Sequence, residues 1–119
     1  MLALTEEHRV VLYLSATDMR KGFFSLAKLV REGGYSLSAG TLFVFFSRDK
    51  RRVKILTWDD DGYALFYKKL EEDTFRIIHS DDCSATEKIT GVDLAKLLAG
   101  TSLRRLRLQK KVATGVLSV

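Results

Sequence analysis

The chain contains no proline, one cysteine and two histidines among its 119 residues. With Cys83 alone, no intrachain disulfide can form, and a reducing cytoplasm is the expected compartment. The spacing of His8, His79 and Cys83 lacks the paired ligands of a closed zinc site, so we expect no bound metal and no cofactor. Without proline as a breaker signal, turns have to be recognised from glycine, aspartate and serine.

Long apolar runs are also missing. No stretch approaches the roughly 20 consecutive apolar residues of a membrane-spanning helix. The first seven residues lack the basic start and apolar run of a secretory signal. We therefore expect a protein with no membrane partner.

The charge is positive. Twenty lysines and arginines against 15 acidic residues give a net charge of +5 and a sequence pI near 9.5. Such a balance is typical of proteins that meet nucleic acid, although many other soluble proteins share it. The charge becomes informative only where the basic residues cluster.

The hydrophobic pattern predicts one domain over residues 1–119, with a basic C-terminal segment at 101–119. Apolar runs predict strands near residues 10–14, 41–47, 53–58 and 63–69, and a further edge strand at 75–79. Residues 48–52 and 59–62 have the composition of hairpin turns. The predicted fold class is α+β: an antiparallel meander sheet of about four to five strands, with helices packed on it.

Two helices are expected. Phe23, Leu26, Ala27 and Val30 follow the helical period, so a long amphipathic helix over about 18–32 is predicted, with Thr17 or Asp18 as its N-cap and glycines at 33 and 34 ending it. A second, short helix over about 91–99 should follow a capping box formed by Thr90 and Asp93. Residues 80–88 are expected to form an exposed loop.

Two basic clusters are candidates for binding phosphates. One lies at the first hairpin and the other near the C-terminus; their members are Arg48, Lys50, Arg51, Arg52 and Lys54, and Arg104, Arg105, Arg107, Lys110 and Lys111. A basic hairpin tip is as compatible with simple solvation. In the second cluster, interleaved leucines are equally compatible with a last strand or helix docked on the core.

Two further features allow two interpretations each. The run Asp59, Asp60 and Asp61, with Asp18, could hold Mg²⁺ in a nuclease, but neighbouring side chains at a tight turn diverge. Aromatic residues around the second hairpin could stack on unpaired bases, but half of them must face the core; they are Trp58, Tyr63, Phe66 and Tyr67.

Several ordered segments resemble one known family. Residues 17–23 read TDMRKGF, residues 40–45 read GTLFVF, and residues 53–62 contain Trp58, Asp59, Asp61 and Gly62 in the pattern KxLxWDxDG. Residues 67–71 and 97–100 are similar to the segments YKRLE and LLxG. Over residues 9–107 the chain resembles the Orf2-like accessory proteins, called TnpB, of insertion sequence 66 transposons. It departs from them at 77–90 and after Gly100, where a segment with tryptophan is usual.

The resemblance implies a non-enzymatic, accessory role in DNA transposition beside a separate transposase. The expected partners are DNA and that transposase. The alternatives are a protein-interaction module without direct DNA contact and, less favoured, a Mg²⁺-dependent nuclease. The family motif comprises Thr17, Asp18, Met19, Arg20, Lys21, Gly22, Phe23, Trp58, Asp59, Asp61 and Gly62.

Within the motif, Arg20 and Lys21 are expected in the first helical turn, where the dipole disfavours cations. Their presence there suggests either a salt bridge to Asp59 or Asp61 or a phosphate contact. The candidate phosphate-binding residues are Arg20, Lys21, Arg51, Arg52, Lys54, Arg104, Arg105 and Arg107.

Overall fold

The computed structural model describes residues 3–113 and centres on a five-stranded sheet. The strands are β1 (Arg9–Tyr13), β2 (Thr41–Phe46), β3 (Arg52–Asp59), β4 (Gly62–Lys69) and β5 (Thr86–Thr90), and they lie in the order β4-β3-β2-β1-β5. Three helices accompany them: α1 (Phe23–Glu32), α2 (Gly91–Leu98) and α3 (Leu103–Ala113). The predicted α+β class is confirmed.

The sheet is mixed, so the prediction of an antiparallel meander was wrong for β1 and β5, which do not belong to a meander. β1 and β2 pair in parallel, with Arg9 opposite Thr41, whereas β2–β3, β3–β4 and β1–β5 are antiparallel. A parallel pair needs a crossover connection, and the long segment containing α1 supplies it. Only β2, β3 and β4 form the expected meander.

The first four strands and both hairpin turns are confirmed, but the last strand was placed wrongly. Residues 75–79 form no strand; Phe75 and Ile77 instead bury their side chains against the sheet. The fifth strand is β5, which begins inside the segment expected to be a loop and pairs with β1. Its short, polar sequence TEKIT carries little strand signal.

Helix α1 is shorter than predicted, ten residues instead of about fifteen, because it begins at Phe23. Its N-cap residue is Gly22, so no side chain caps the helix. The predicted capping by Thr17 or Asp18 was wrong, since the Asp18 carboxylate is bonded to Arg20. The C-terminal end is as predicted, with Gly34 in the left-handed region at φ 84°. Helix α2 and its capping box between Thr90 and Asp93 are confirmed.

Apolar side chains fill both faces of the sheet. On one face, α1 buries Leu26, Ala27 and Val30 against alternate residues of β1, β2 and β3. On the other face, residues 75–77, α2 and α3 cover the remaining alternate residues. The central strands are therefore buried on both sides, which explains their continuous apolar sequences.

The basic C-terminal segment is a helix over its described part. Leu103 and Leu106 of α3 are buried, which confirms docking on the core and excludes a last strand there. Residues 116–119, which read VLSV and end the basic segment with a mostly apolar stretch, lie outside the described residues. No helix between residues 3 and 113 is long and apolar enough to cross a membrane.

Candidate nucleic-acid interface

The segment between β1 and α1 crosses the end of the sheet at which the parallel strands β1 and β2 finish. The backbone N–H of Thr17 donates a hydrogen bond of 2.9 Å to the carbonyl of Phe46, the last residue of β2. A turn then follows, closed by the N–H of Lys21, which donates to the carbonyl of Asp18 at 3.2 Å. Ligand sites in sheets with parallel strands often lie outside the carboxyl ends of those strands.

Asp18 and Arg20 form a local pair within this turn. The Asp18 carboxylate accepts the Arg20 backbone N–H at 2.9 Å and its guanidinium at 2.6 Å. These bonds, the side-chain one foremost, hold the pKa of Asp18 well below its usual range. Of the two alternatives for Arg20, the structure does not show the salt bridge to Asp59 or Asp61. The prediction that Arg20 and Lys21 lie in the first helical turn was wrong, because α1 begins at Phe23. The Arg20 side chain is 90% exposed, so the guanidinium remains accessible to an anion from solvent.

Lys54 of β3 is hydrogen-bonded to the same turn. Its side chain is buried on the α1 face of β3, and its ammonium group donates hydrogen bonds of 2.7 Å to the carbonyls of Met19 and Lys21. The ammonium also lies 4.8 Å from the centre of the Tyr67 ring, within cation–π distance. Lys54 was predicted to contact phosphate, but its side chain is buried and two of its three N–H donors are bonded inside the protein. Its role in the structure is to position the turn.

The hairpin between β2 and β3 is ordered by its own polar side chains. Ser47 donates to the Asp49 carboxylate at 2.6 Å and accepts the N–H of Arg52 at 3.0 Å, while Asp49 also accepts the N–H of Arg51. The bond from the Ser47 hydroxyl, which contributes most, and the bond from the Arg51 N–H lower the pKa of Asp49. Lys50 takes a left-handed conformation with φ 60° to close the turn.

The turn and the hairpin together form a shallow cleft of about 560 Å³. Its lining includes Arg20 from the turn and Arg48 and Arg52 from the hairpin. The buried Nε–H of Arg52 has no acceptor within the described chain. Arg51 points elsewhere, because its guanidinium bonds the Glu71 carbonyl. The cleft thus joins two sequence segments that were separate candidates, and its lining holds three arginines and the two carboxylates of Asp18 and Asp49.

The basic surface continues onto the edge strand β4. Lys69 lies opposite Arg52 and Tyr67 lies opposite Lys54, so these four side chains share the α1 face of the sheet. Tyr67, Lys68 and Lys69 are all exposed. Arg48 and Lys69 were not among the eight predicted phosphate-binding residues. The alternation along residues 63–69 was the signal that would have placed Lys69 beside Arg52.

The C-terminal arginines lie apart from this cleft, on α3, which packs on the opposite face of the sheet. Arg107 forms an ion pair with Glu87 of β5, and that hydrogen-bonded pair raises the pKa of Arg107. Arg104 and Arg105 are exposed. The two basic clusters therefore do not form one continuous site on one face.

The second part of the family motif lies at the other end of the sheet. Trp58, Asp59, Asp61 and Gly62 surround the turn between β3 and β4. Since a strand rises about 3.3 Å per residue, the seven steps from Arg52 to Asp59 span about 23 Å. Asp18 lies near the Arg52 end, so it cannot share a metal site with Asp59 and Asp61. Across residues 3–113, no group of three or more acidic, histidine or cysteine side chains could hold a metal.

His79 has a structural position at the basic end. Its two ring nitrogens lie 3.2 Å from the carbonyl of Leu14 and 3.0 Å from that of Ser47. The ring thereby joins the ends of β1 and β2 to the segment that precedes β5. Cys83 is exposed and belongs to no group of metal ligands within residues 3–113.

A family model described as IS66 Orf2 like protein matches residues 8–108. The chain belongs to this family. An uncharacterised protein, y4hO, of Sinorhizobium fredii (strain NBRC 101917 / NGR234) is 34% identical over 105 residues, which cover 87% of this chain and 90% of the relative. No solved structure gave a significant match. Membership places the protein among the accessory proteins of an insertion element.

Proposed function

We propose that this protein is a non-enzymatic accessory factor in transposition that binds DNA through the cleft between the turn at 17–22 and the hairpin at 47–52. The observation that carries the proposal is the convergence of Arg20, Arg48 and Arg52 on one cleft at the carboxyl ends of β1 and β2. Cations gathered on a rigid support neutralise successive phosphates and release the condensed counterions of DNA.

The internal bonds of the site favour binding over a purely structural role. Lys54, Arg51 and Arg107 have partners within the protein, as described above. By contrast, ion pairs within residues 3–113 include neither Arg48 nor Arg52 nor Lys21. The proposed phosphate contacts at the cleft are Arg48 and Arg52, with Lys69 beside Arg52, and Arg20, which bonds Asp18 but keeps a 90% exposed side chain. Lys21 lines a neighbouring pocket instead of the cleft. Arg104 and Arg105 form a separate basic surface that extends the proposal only if α3 also reaches the DNA.

The test is a titration of labelled DNA, followed by fluorescence anisotropy over a series of salt concentrations. Affinity should fall steeply with salt. The double variant Arg48→Ala/Arg52→Ala should lower the salt slope on duplex DNA by about 0.9 for each phosphate that the variant no longer neutralises. It should weaken binding by about tenfold or more.

The matched control is Arg104→Ala/Arg105→Ala, which removes the same charge from the exposed surface of α3. It should change the affinity much less than the cleft variant. Binding that is absent at low salt, or that does not respond to salt, excludes DNA as the partner. An equal loss of affinity in both variants would show that net charge, and not the cleft, is responsible.

A second candidate function is docking on the transposase of the same element. The turn at 59–62 favours it, because three consecutive carboxylates and Trp58 lie about 23 Å from the basic cleft, at the opposite end of β3. One end of the sheet would then meet DNA and the other a basic surface of the transposase. Co-purification that survives Arg48→Ala/Arg52→Ala but is abolished in Asp59→Asn/Asp61→Asn would support this assignment.

A further inference from the structure

Exposed aromatic residues lie at the start of α1 and on β4, the two elements next to the turn at 17–22 and to Arg52. Within residues 3–111, the exposed large apolar side chains are Phe23, Phe24, Tyr67, Ile78 and Leu108. Phe24 is 83% exposed, Tyr67 50% and Phe23 44%. Both phenylalanines begin α1 immediately after Lys21 and Gly22. Exposed apolar surface that is bordered by polar residues is typical of a surface that binds a partner.

Tyr67 is fixed beside the turn that carries the cations. The ammonium of Lys54 lies between the Tyr67 ring, at 4.8 Å from its centre, and the carbonyl of Lys21, at 2.7 Å. One face of the ring is thus turned to a buried cation. Half of the side chain remains exposed, which leaves ring surface for another planar group.

Positive charges border the same ring. Lys69 is two residues from Tyr67 on the same face of β4. Arg52 is the cross-strand partner of Lys69. Arg52 in turn lines the cleft with Arg48 and Arg20. A path from the cleft to Tyr67 therefore passes along Arg52 and Lys69, with cations at each step and a ring at its end.

We propose that the DNA bound at this site is single-stranded. Its phosphates lie along Arg48, Arg52 and Lys69, and its bases stack on Tyr67 and on the phenylalanines that begin α1. Basic grooves combined with aromatic platforms are how proteins bind unpaired strands, since every base has a face that can stack. A duplex keeps its bases stacked inside and would leave these rings in water. This inference rests on the proposed DNA binding at the same cleft.

The test compares a labelled oligothymidine with a labelled hairpin duplex of matched charge, at one fixed salt concentration. The wild-type protein should bind the single strand more tightly. Phe24→Ala and Tyr67→Ala should each weaken binding of the single strand by about 5- to 100-fold, as expected when one stacking ring is removed. Neither should change binding of the duplex.

Two variants serve as controls. Tyr67→Phe keeps the ring and should keep the affinity. Ile78→Ala removes an exposed side chain that is apolar but not aromatic, and it should have no effect. Because Phe24 is 83% exposed, its replacement leaves the fold intact and remains informative even if Tyr67→Ala destabilises the protein by removing the ring beside Lys54.

The outcomes are distinguishable. Equal binding of both DNA forms, unchanged by Phe24→Ala and Tyr67→Ala, overturns this inference but leaves DNA binding at the cleft in place. No binding of either form overturns both. Unchanged binding of the single strand, together with failure of Phe24→Ala to co-purify with the transposase, assigns the rings to a protein partner and also overturns the inference.

Discussion

The ammonium of Lys54 donates a hydrogen bond of 2.7 Å to the backbone carbonyl of Lys21, joining the interior of β3 to the turn that precedes α1. A second bond of the same length reaches the carbonyl of Met19. Lys54 is 7% exposed. The most distinctive segment of the sequence is therefore a loop held by a buried cation, and the Arg20 side chain of that loop is 90% exposed.

Replacing Lys54 by methionine should destabilise the protein. Methionine keeps most of the apolar volume but leaves two carbonyls without their donor. Hydrogen bonds to a charged group contribute more than neutral ones, so we expect the free energy of unfolding to fall by about 2 to 3 kcal/mol. Urea denaturation followed by circular dichroism measures it.

Lys68→Met is the matched control for this prediction. Lys68 is an exposed lysine on the neighbouring strand, where it faces the other side of the sheet. Its replacement should change the free energy of unfolding by less than about 0.5 kcal/mol. Equal effects of the two substitutions would contradict the anchoring role of Lys54.

The Asp18 carboxyl should titrate at an unusually low pH. Hydrogen bonds from the side chain and then the backbone of Arg20 lower its pKa in the folded protein. Because the folded pKa lies below the unfolded value of about 3.9, the stabilisation is present above that value and is lost as the pH falls through the folded pKa. An NMR titration of the carboxyl carbon should therefore show a midpoint below about pH 3.9.

Arg20→Ala should move that midpoint upward, but only in part. The substitution removes the guanidinium, which contributes most, while the backbone N–H of residue 20 still donates to Asp18. A midpoint that does not move would show that the pair is absent in solution. A midpoint that returns fully to the unfolded value would show that the turn itself depends on the arginine side chain.

Local sequence patterns predicted much of this fold, whereas long-range pairing could not be predicted from them. The capping box at Thr90 is local, because both of its partners lie within one helical turn, and it was found. The parallel pairing of β1 with β2 depends on where α1 returns the chain. The five-residue β5 becomes a strand through its bonds to β1, since its own sequence is largely polar.

In the candidate site, too, local features were predicted and long-range contacts were not. The sequence identified the cations but could not show which of them already had a partner. Arg20, Lys54 and Arg107 look alike as charges; one is bound to Asp18 at the surface, one is buried on two carbonyls, and one is paired with Glu87. The predicted start of α1 was wrong for a related reason. Asp18 has a side chain that could cap a helix, but that side chain is bonded to Arg20.

Gly91→Ala should be far more damaging than substitution of another glycine in a regular element. A Cβ at Gly91, the first residue of α2, would overlap the backbone of Thr5 and the Cβ of His8. Overpacking of this kind costs about 1 to 3 kcal/mol, because backbone cannot be moved cheaply. The midpoint of urea denaturation should fall accordingly.

Gly62→Ala is the comparison for that prediction. Nothing lies within 4 Å of a Cβ built at Gly62 on β4, and its backbone is not left-handed. Alanine should be tolerated there, within about 1 kcal/mol of the wild type. Similar losses of stability at both positions would contradict the close packing of residues 5–8 on α2.

Tyr13→Phe should leave the protein as stable as the wild type or more stable, by up to about 1 kcal/mol. The Tyr13 side chain is 7% exposed, and its hydroxyl has no hydrogen-bond partner among the described residues. Phenylalanine keeps the stacked contact with Phe45, whose ring centre is 4.6 Å away. It removes only a polar group that the fold buries without compensation.

The same substitution should change the response to alkali. Burial, with a smaller contribution from Tyr35, raises the pKa of Tyr13 to about 12. The unfolded chain releases this proton near pH 10, so the folded state loses stability progressively between about pH 10 and 12. Tyr13→Phe should lack this part of the loss when urea midpoints are compared across that range. A large loss of stability in Tyr13→Phe at neutral pH would instead show that the hydroxyl has a partner, such as a buried water.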